Sequence, residues 1–121
     1  MSVRDFALAV TSSGDLSQAT VTIGPVDLRS IPAAALQLAW TGSPVGTLQL
    51  QGTTGQPTNS STAQTNSWPG PWSPVGTAVG TSGINNYTWD ITSTGLSAVQ
   101  VVYTRTSGTG TITLARGQQK S

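Results

Sequence analysis

The stretch AVQVVYTRTSGTGTITLAR, residues 98–116, indicates two β-strands joined by a short turn. Apolar side chains occupy alternate positions on both sides of the turn: Val99, Val101 and Tyr103 before it, Ile112 and Leu114 after it. A period of two places such side chains on one face of a sheet. The glycines of SGTG, residues 107–110, permit the positive φ angles of a tight connection. We therefore expect a β-hairpin whose apolar face needs a second sheet to cover it.

A second pair of strands precedes this stretch, in AALQLAWTG and GTLQLQG. Its alternating apolar residues are Leu36, Leu38, Trp40, Leu48 and Leu50. The link between the two runs, residues 41–46, is rich in turn-forming residues, so we expect a second hairpin. Each of these side chains contributes about 1.5–3 kcal/mol when it is fully buried.

Shorter runs complete the predicted sheets. Val21 and Ile23 alternate with threonines in a strand that Gly24-Pro25 is expected to stop. A short strand is predicted around Val79, and NYTWDI, residues 86–91, predicts another with Tyr87, Trp89 and Ile91 on one face. No apolar repeat of helical period lasts more than one turn. The sequence predicts an all-β fold, an antiparallel β-sandwich of seven or eight strands that is jelly-roll-like.

The aromatic residues of the strands are predicted to lie in the core. Trp40, Trp89 and Tyr103 each occupy an apolar position of an alternating run. We expect the Tyr103 hydroxyl to reach the rim of the sandwich, where a polar group finds a partner.

The expected domain spans residues 19–116, and residues 117–121 form a C-terminal tail. In residues 1–18, Phe6, Leu8 and Val10 alternate. Two interpretations fit this segment: an edge strand of the same sandwich, or an arm that docks on a neighbouring molecule. In the second interpretation these three side chains are interface residues.

The composition argues against several kinds of partner. Charged residues make up 7% of the chain and the formal net charge is +1. Because the cations are scattered, they form no patch that could bind a phosphate backbone, and we expect no nucleic-acid partner. The apolar run of residues 6–10 is too short for a signal peptide or a membrane span, so we expect neither. Without cysteine, packing and hydrogen bonds alone must hold the fold.

The inventory of reactive residues argues against an enzyme. The chain contains no histidine and no cysteine, so the usual catalytic triads and zinc sites cannot be built. Asp27 and Asp90 are the one pair that could serve a glycosidase, and we expect them to have structural roles instead. No run of acidic residues resembles a calcium loop. The sequence therefore predicts no catalytic site, no metal and no cofactor.

Trp68 and Trp72 are the strongest functional candidates, within the long irregular segment of residues 52–75. Three interpretations remain open for them. They can fold back to close one end of the sandwich, anchor a protein interface, or stack on sugar rings.

Four fragments in this order resemble small β-sandwich virion structural proteins of tailed bacteriophages, of the head-decoration or minor-capsid kind. They are GTLQLQG at 46–52, a tryptophan-bearing loop at 67–75, YTWDI at 87–91 and VQVVYTRTSGTGTITL at 99–114. The resemblance covers residues 16–116, and the Pro-rich WPGPW insertion departs from it.

The resemblance implies a protein that decorates or cements a capsid surface through contacts with the major capsid protein or other virion subunits. It implies a location in the virion after synthesis in the host cytoplasm without a signal peptide. Symmetric shells favour closed clusters, so we expect a homo-oligomer, with a trimer favoured. The alternative is a module that binds a carbohydrate or a host surface through Trp68 and Trp72.

Overall fold

A computed structural model describes residues 3–28, 33–54, 71–92 and 96–120. These residues form nine β-strands and one short 3-10 helical turn, η1. The elements are β1 Val3–Ala7, η1 Thr11–Gly14, β2 Thr20–Asp27, β3 Ala33–Gly42, β4 Val45–Thr53, β5 Ser73–Pro74, β6 Val79–Gly80, β7 Asn86–Thr92, β8 Ala98–Ser107 and β9 Gly110–Lys120. The prediction of an all-β fold is confirmed.

The strands form two antiparallel sheets that enclose one core. The four-stranded sheet has the order β1-β9-β3-β7, and the five-stranded sheet has the order β2-β8-β4-β5. Strands β5 and β6 pair with successive parts of the same edge of β4, so together they fill one strand position. Because the chain crosses between the sheets at most connections, the two orders are those of a jelly roll with eight strand positions. The predicted jelly-roll-like sandwich is confirmed.

The pairing of both predicted hairpins is wrong, although their strands are present. Strand β8 pairs with β2 and β4, whereas β9 pairs with β1 and β3 in the other sheet. Likewise β3 and β4 lie in different sheets. Each short turn therefore carries the chain across the sandwich. A crossing turn and a hairpin turn bury the same alternate side chains, so the period of two does not distinguish them.

The two crossing turns pack directly against each other. The Ser43 N–H donates a hydrogen bond to the Thr109 carbonyl oxygen at 2.9 Å. Gly108 has a φ of 75°, and a Cβ at this position would collide with the Ser43 carbonyl oxygen. The glycine is therefore required for the close approach of two backbones as well as for its own turn.

A β-bulge in β9 reverses the alternation of its side chains. Trp40 pairs with Ile112, but the preceding Ala39 pairs with Leu114, so Thr113 is the extra residue. Ile112 and Ala115 pack against the core, and Leu114 lies opposite Ala39 on the outer face. The prediction that Leu114 shares the inward face with Ile112 is therefore wrong. The inserted residue is the physical reason, because a shift of one residue exchanges the two faces.

The core lies between the sheets and contains the predicted aromatic residues. Trp40 and Trp89 are buried, which confirms their prediction. Tyr103 is buried with 0% exposure, and its hydroxyl has no hydrogen-bond partner among the described residues. The hydroxyl does not reach the rim, so that part of the prediction is wrong. The core also contains Leu16, which was not predicted from the sequence to lie there.

Leu16 enters the core from a polar segment because its neighbours hold the backbone. The Leu16 N–H donates to the Gly110 carbonyl oxygen at 2.8 Å. The Asp15 carboxylate accepts hydrogen bonds from the Ser17 N–H at 3.0 Å and from the Ser17 hydroxyl at 2.6 Å. These bonds lower the pKa of Asp15, with the Ser17 hydroxyl as the largest cause. They fix a local turn that aims Leu16 inward.

Two boundaries also differ from the predicted ones. Gly24-Pro25 does not stop β2; the pairing shifts from Ile23 opposite Val101 to Val26 opposite Val99, and the strand continues to Asp27. Strand β9 continues to Lys120, so residues 117–120 belong to a sheet and not to a tail. They lie between β3 and β1, an edge strand of the four-stranded sheet.

Candidate functional site

The two carboxylates that could have served a glycosidase, Asp27 and Asp90, are not brought together. Asp27 alternates with the buried Val26 and Leu28 in the five-stranded sheet, and Asp90 alternates with buried residues in the four-stranded sheet. Both therefore lie on outer faces, on opposite sides of the sandwich. Among the described residues no group of three or more acidic, histidine or cysteine side chains could hold a metal ion.

The N-terminal candidates lie against the molecule's own sandwich. Leu8 and Val10 are half-buried and pack against the core. The Leu8 N–H donates to the Ala115 carbonyl oxygen at 3.1 Å, and Val10 forms a bridge with Ile23. Phe6 lies in β1, opposite Gly117 of β9. This placement is the edge-strand interpretation of the segment.

Only one of the two tryptophan candidates, Trp72, belongs to the described residues. Trp72 is half-buried and directly precedes β5, which pairs with Gln51 and Gly52 at the edge of the five-stranded sheet. Trp68 lies outside the described residues.

An uncharged array covers most of the outer face of the five-stranded sheet, and we call it the Thr/Gln face. Its residues alternate along each strand with buried core residues, so their side chains point away from the core. Cross-strand register aligns them in rows. The members are Thr20, Thr22, Thr47, Gln49, Gln51, Gln100, Val102 and Thr104. The charged residues in the same ladders stand at its two ends: Asp27 opposite Ala98, and Arg105 opposite Gly46.

The amides of the Thr/Gln face are held by the protein itself. The Gln100 side-chain NH2 donates to the Gln51 side-chain oxygen at 2.8 Å. The Gln49 NH2 donates to the Leu50 carbonyl at 2.8 Å and lies 3.4 Å from the Val75 carbonyl oxygen. Because these side chains are already held in place, they lose less conformational entropy when a partner binds. The face can offer neutral hydrogen-bond donors and acceptors, and it has no group for acid-base chemistry.

Thr81, which is 2% exposed, was not predicted from the sequence to have a structural role. Its hydroxyl donates to the Pro44 carbonyl at 2.9 Å and accepts from the Gly46 N–H at 3.0 Å. These bonds attach the loop before β7 to the turn between β3 and β4. An open cleft of about 430 Å³ lies between the two segments, lined by residues 42–45 and 81–85. No local pattern marks Thr81, because its partners are more than 30 residues away in sequence.

No model of a known protein family matches the chain, and no curated protein matches it. Within residues 3–28, 33–54, 71–92 and 96–120, no helix has the length and hydropathy needed to cross a membrane.

Proposed function

We propose that the protein is a virion structural protein of a tailed bacteriophage that decorates or cements the capsid surface. Its partners are the major capsid protein or other virion subunits. The Thr/Gln face supports this proposal, because the buried centres of protein interfaces are depleted in charged residues.

The surface chemistry suits a protein present in many neighbouring copies. Because the net charge is only +1, electrostatic repulsion between copies on one shell is weak. The amides and hydroxyls of this face provide hydrogen bonds without the desolvation penalty of buried ions. The resemblance of residues 16–116 to decoration proteins points to the same function.

Co-sedimentation with capsids that lack the protein tests the proposal. We expect saturable binding at a fixed ratio to the capsid subunits, and loss of that binding for Thr104→Glu. Thr104 is exposed at the outer end of the Thr/Gln face, so its substitution places a charge in the interface without entering the core. Desolvating one unpaired charge at an interface weakens binding by about 2–5 kcal/mol.

The matched control is Thr113→Glu, at an exposed threonine of the four-stranded sheet. This variant should bind capsids as the wild type does. Binding without saturation, or equal loss for the two variants, would contradict a docking role for the Thr/Gln face.

The second candidate function is carbohydrate binding. It is favoured by the position of Trp72, a half-buried indole next to the strand that pairs with Gln51. Stacking on an indole and hydrogen bonding to amides are the two interactions that recognise sugars. A glycan-array signal that disappears in Trp72→Ala, together with unchanged capsid binding, would favour this function over decoration.

A further inference from the structure

The edges of the two sheets are protected unequally. An exposed strand edge presents unpaired N–H and C=O groups, and proteins usually protect it with proline, charge, bulges or cover. The edge of β2 is covered: the Gly24 N–H donates to the Ala9 carbonyl at 2.8 Å, and the Thr22 N–H donates to the Thr11 hydroxyl at 2.9 Å. The opposite edge of that sheet is formed by two strands of two residues each, one of which contains Pro74.

The four-stranded sheet has one short edge and one long one. Strand β1 has five residues, including Arg4 and Asp5. Strand β7 has seven residues, NYTWDIT, with a single charge and no proline. Its pairing with β3 is regular from Ala33 opposite Thr92 to Ala39 opposite Asn86. Among the described residues no strand pairs with the other edge of β7, so it is a long unpaired edge with Asp90 as its only charge.

The hydrogen-bond pattern shows which residues of β7 present free groups. The Trp40 N–H donates to the Asn85 carbonyl at 2.9 Å, which makes these two a hydrogen-bonded pair. Such pairs alternate along an antiparallel ladder, so Tyr87, Trp89 and Ile91 also bond to β3. The backbone groups that point to the free edge belong to Asn86, Thr88, Asp90 and Thr92.

Apolar exposure is concentrated at the same edge. Within the described part of the chain the exposed large hydrophobic residues are Ile84 at 41% and Tyr87 at 36%. Ile84 lies two residues before β7, and Tyr87 lies in it. The Tyr87 ring packs edge-on against Trp89 with ring centres 4.9 Å apart. A partner strand added here would cover apolar surface as well as satisfy the backbone.

We propose that β7 pairs antiparallel with β7 of a second copy of this chain, about a two-fold axis at Trp89. The inference does not depend on the proposed function. It gives a two-fold pair in place of the trimer expected from the sequence, and it joins two four-stranded sheets into one continuous sheet.

Charge and hydrogen bonding select this register. With the axis at Trp89, Thr88 lies opposite Asp90 of the second copy, and Asn86 lies opposite Thr92 of the second copy. All free-edge groups are then paired, with about eight backbone hydrogen bonds. An axis at Asp90 would place two carboxylates directly opposite each other, which is unfavourable. An axis at Thr88 would leave Thr92 without a strand partner.

Sedimentation equilibrium of the full chain measures the predicted pair. We expect a mass of twice 12.4 kDa that dissociates on dilution. Thr88→Pro removes an N–H that points to the free edge and leaves the bonds to β3 intact, so it should weaken the pair at least about tenfold. Its circular dichroism spectrum should match that of the wild type.

Two charge variants test the register. Thr88→Asp places a carboxylate opposite Asp90 of the second copy, twice in each pair, and should weaken association by roughly two- to thirtyfold. Thr88→Lys places an ammonium group there and should leave association unchanged or tighter. Thr104→Asp, on the other sheet, is the matched control and should have the wild-type mass.

A wild-type monomer at several hundred micromolar, or a trimer, would overturn the proposal. So would a dimer that survives Thr88→Pro, or equal weakening by the Asp and Lys substitutions at Thr88. Co-sedimentation measures capsid binding and sedimentation equilibrium measures self-association. A negative result in one experiment therefore does not count against the other proposal.

Discussion

Removing the hydroxyl of Tyr103 should stabilise the protein. The residue is 0% exposed, and its oxygen has no hydrogen-bond partner among the described residues. The Gly46 backbone packs on the ring so closely that a Cβ there would lie 2.9 Å from the ring Cε1. Tyr103→Phe keeps the ring and its contacts and deletes only the unpaired polar atom.

The size of the effect follows from two opposing contributions. Burying a hydroxyl without a partner costs about 1–3 kcal/mol in mutational data. The small void left by the oxygen, about 10–15 Å³, costs roughly 0.3 kcal/mol at about 24 cal/mol per Å³. We therefore expect the free energy of unfolding to rise by about 0.7–2.7 kcal/mol. For a domain of this size each kcal/mol raises Tm by roughly 3–5 °C.

Urea and thermal unfolding of the wild type and the variant measure this difference. The matched control is Tyr87→Phe, because Tyr87 is 36% exposed and water can satisfy its hydroxyl. The control should change stability by less than about 0.5 kcal/mol. A loss of more than about 1 kcal/mol in Tyr103→Phe would contradict this prediction, since it would mean that the hydroxyl has a partner.

Alkaline pH provides a second test of the same residue. Burial raises the pKa of Tyr103 above its usual value of 10.0. The stability from this group is present below the unfolded-state pKa and is lost as pH rises through the folded-state pKa, because only the unfolded chain releases the proton in that interval. The wild type should therefore lose stability more steeply than Tyr103→Phe above about pH 10. Parallel pH profiles would contradict this.

Substitutions at three other places test particular contacts. Gly108→Ala should lower the free energy of unfolding by about 2–4 kcal/mol in urea, because of both the positive φ and the collision with Ser43. The control Gly83→Ala should lower it by only about 1–2 kcal/mol, because Gly83 has a φ of 80° but no atom near the added Cβ. Ile112→Ala should cost about 2 kcal/mol or more and Leu114→Ala under about 1 kcal/mol, because the bulge turns only Ile112 to the core; equal losses would contradict the bulge. Since the pKa of Asp15 is lowered, its contribution to stability is present above the unfolded-state pKa of an ordinary aspartate and is lost as pH falls through the folded-state pKa. Asp15→Asn should therefore make stability depend less steeply on pH in acid. Carboxyl NMR titration should find the pKa of Asp15 below the usual range for aspartate.

The site was predictable only in part. The sequence identified Trp72, Leu8 and Val10 as candidates, and the structure places the last two against the core. The Thr/Gln face could not be identified from one strand, because its rows are formed by residues that are up to about 80 positions apart. Each of these residues looks locally like an ordinary solvent-facing position. Only the cross-strand register collects them into one uncharged surface.

The amino-acid sequence alone was enough to predict the strands and most of their buried faces. Alternation around Val101, Leu38 and Trp89 has a period of two, and the hydrophobic effect requires that side of each strand to be inside whichever strand lies beside it. Tertiary structure alone decided the pairing, the bulge at Thr113 and the burial of Leu16. A short glycine turn serves equally for a hairpin and for a crossing between sheets, so the choice depends on distant strands competing for the same edges.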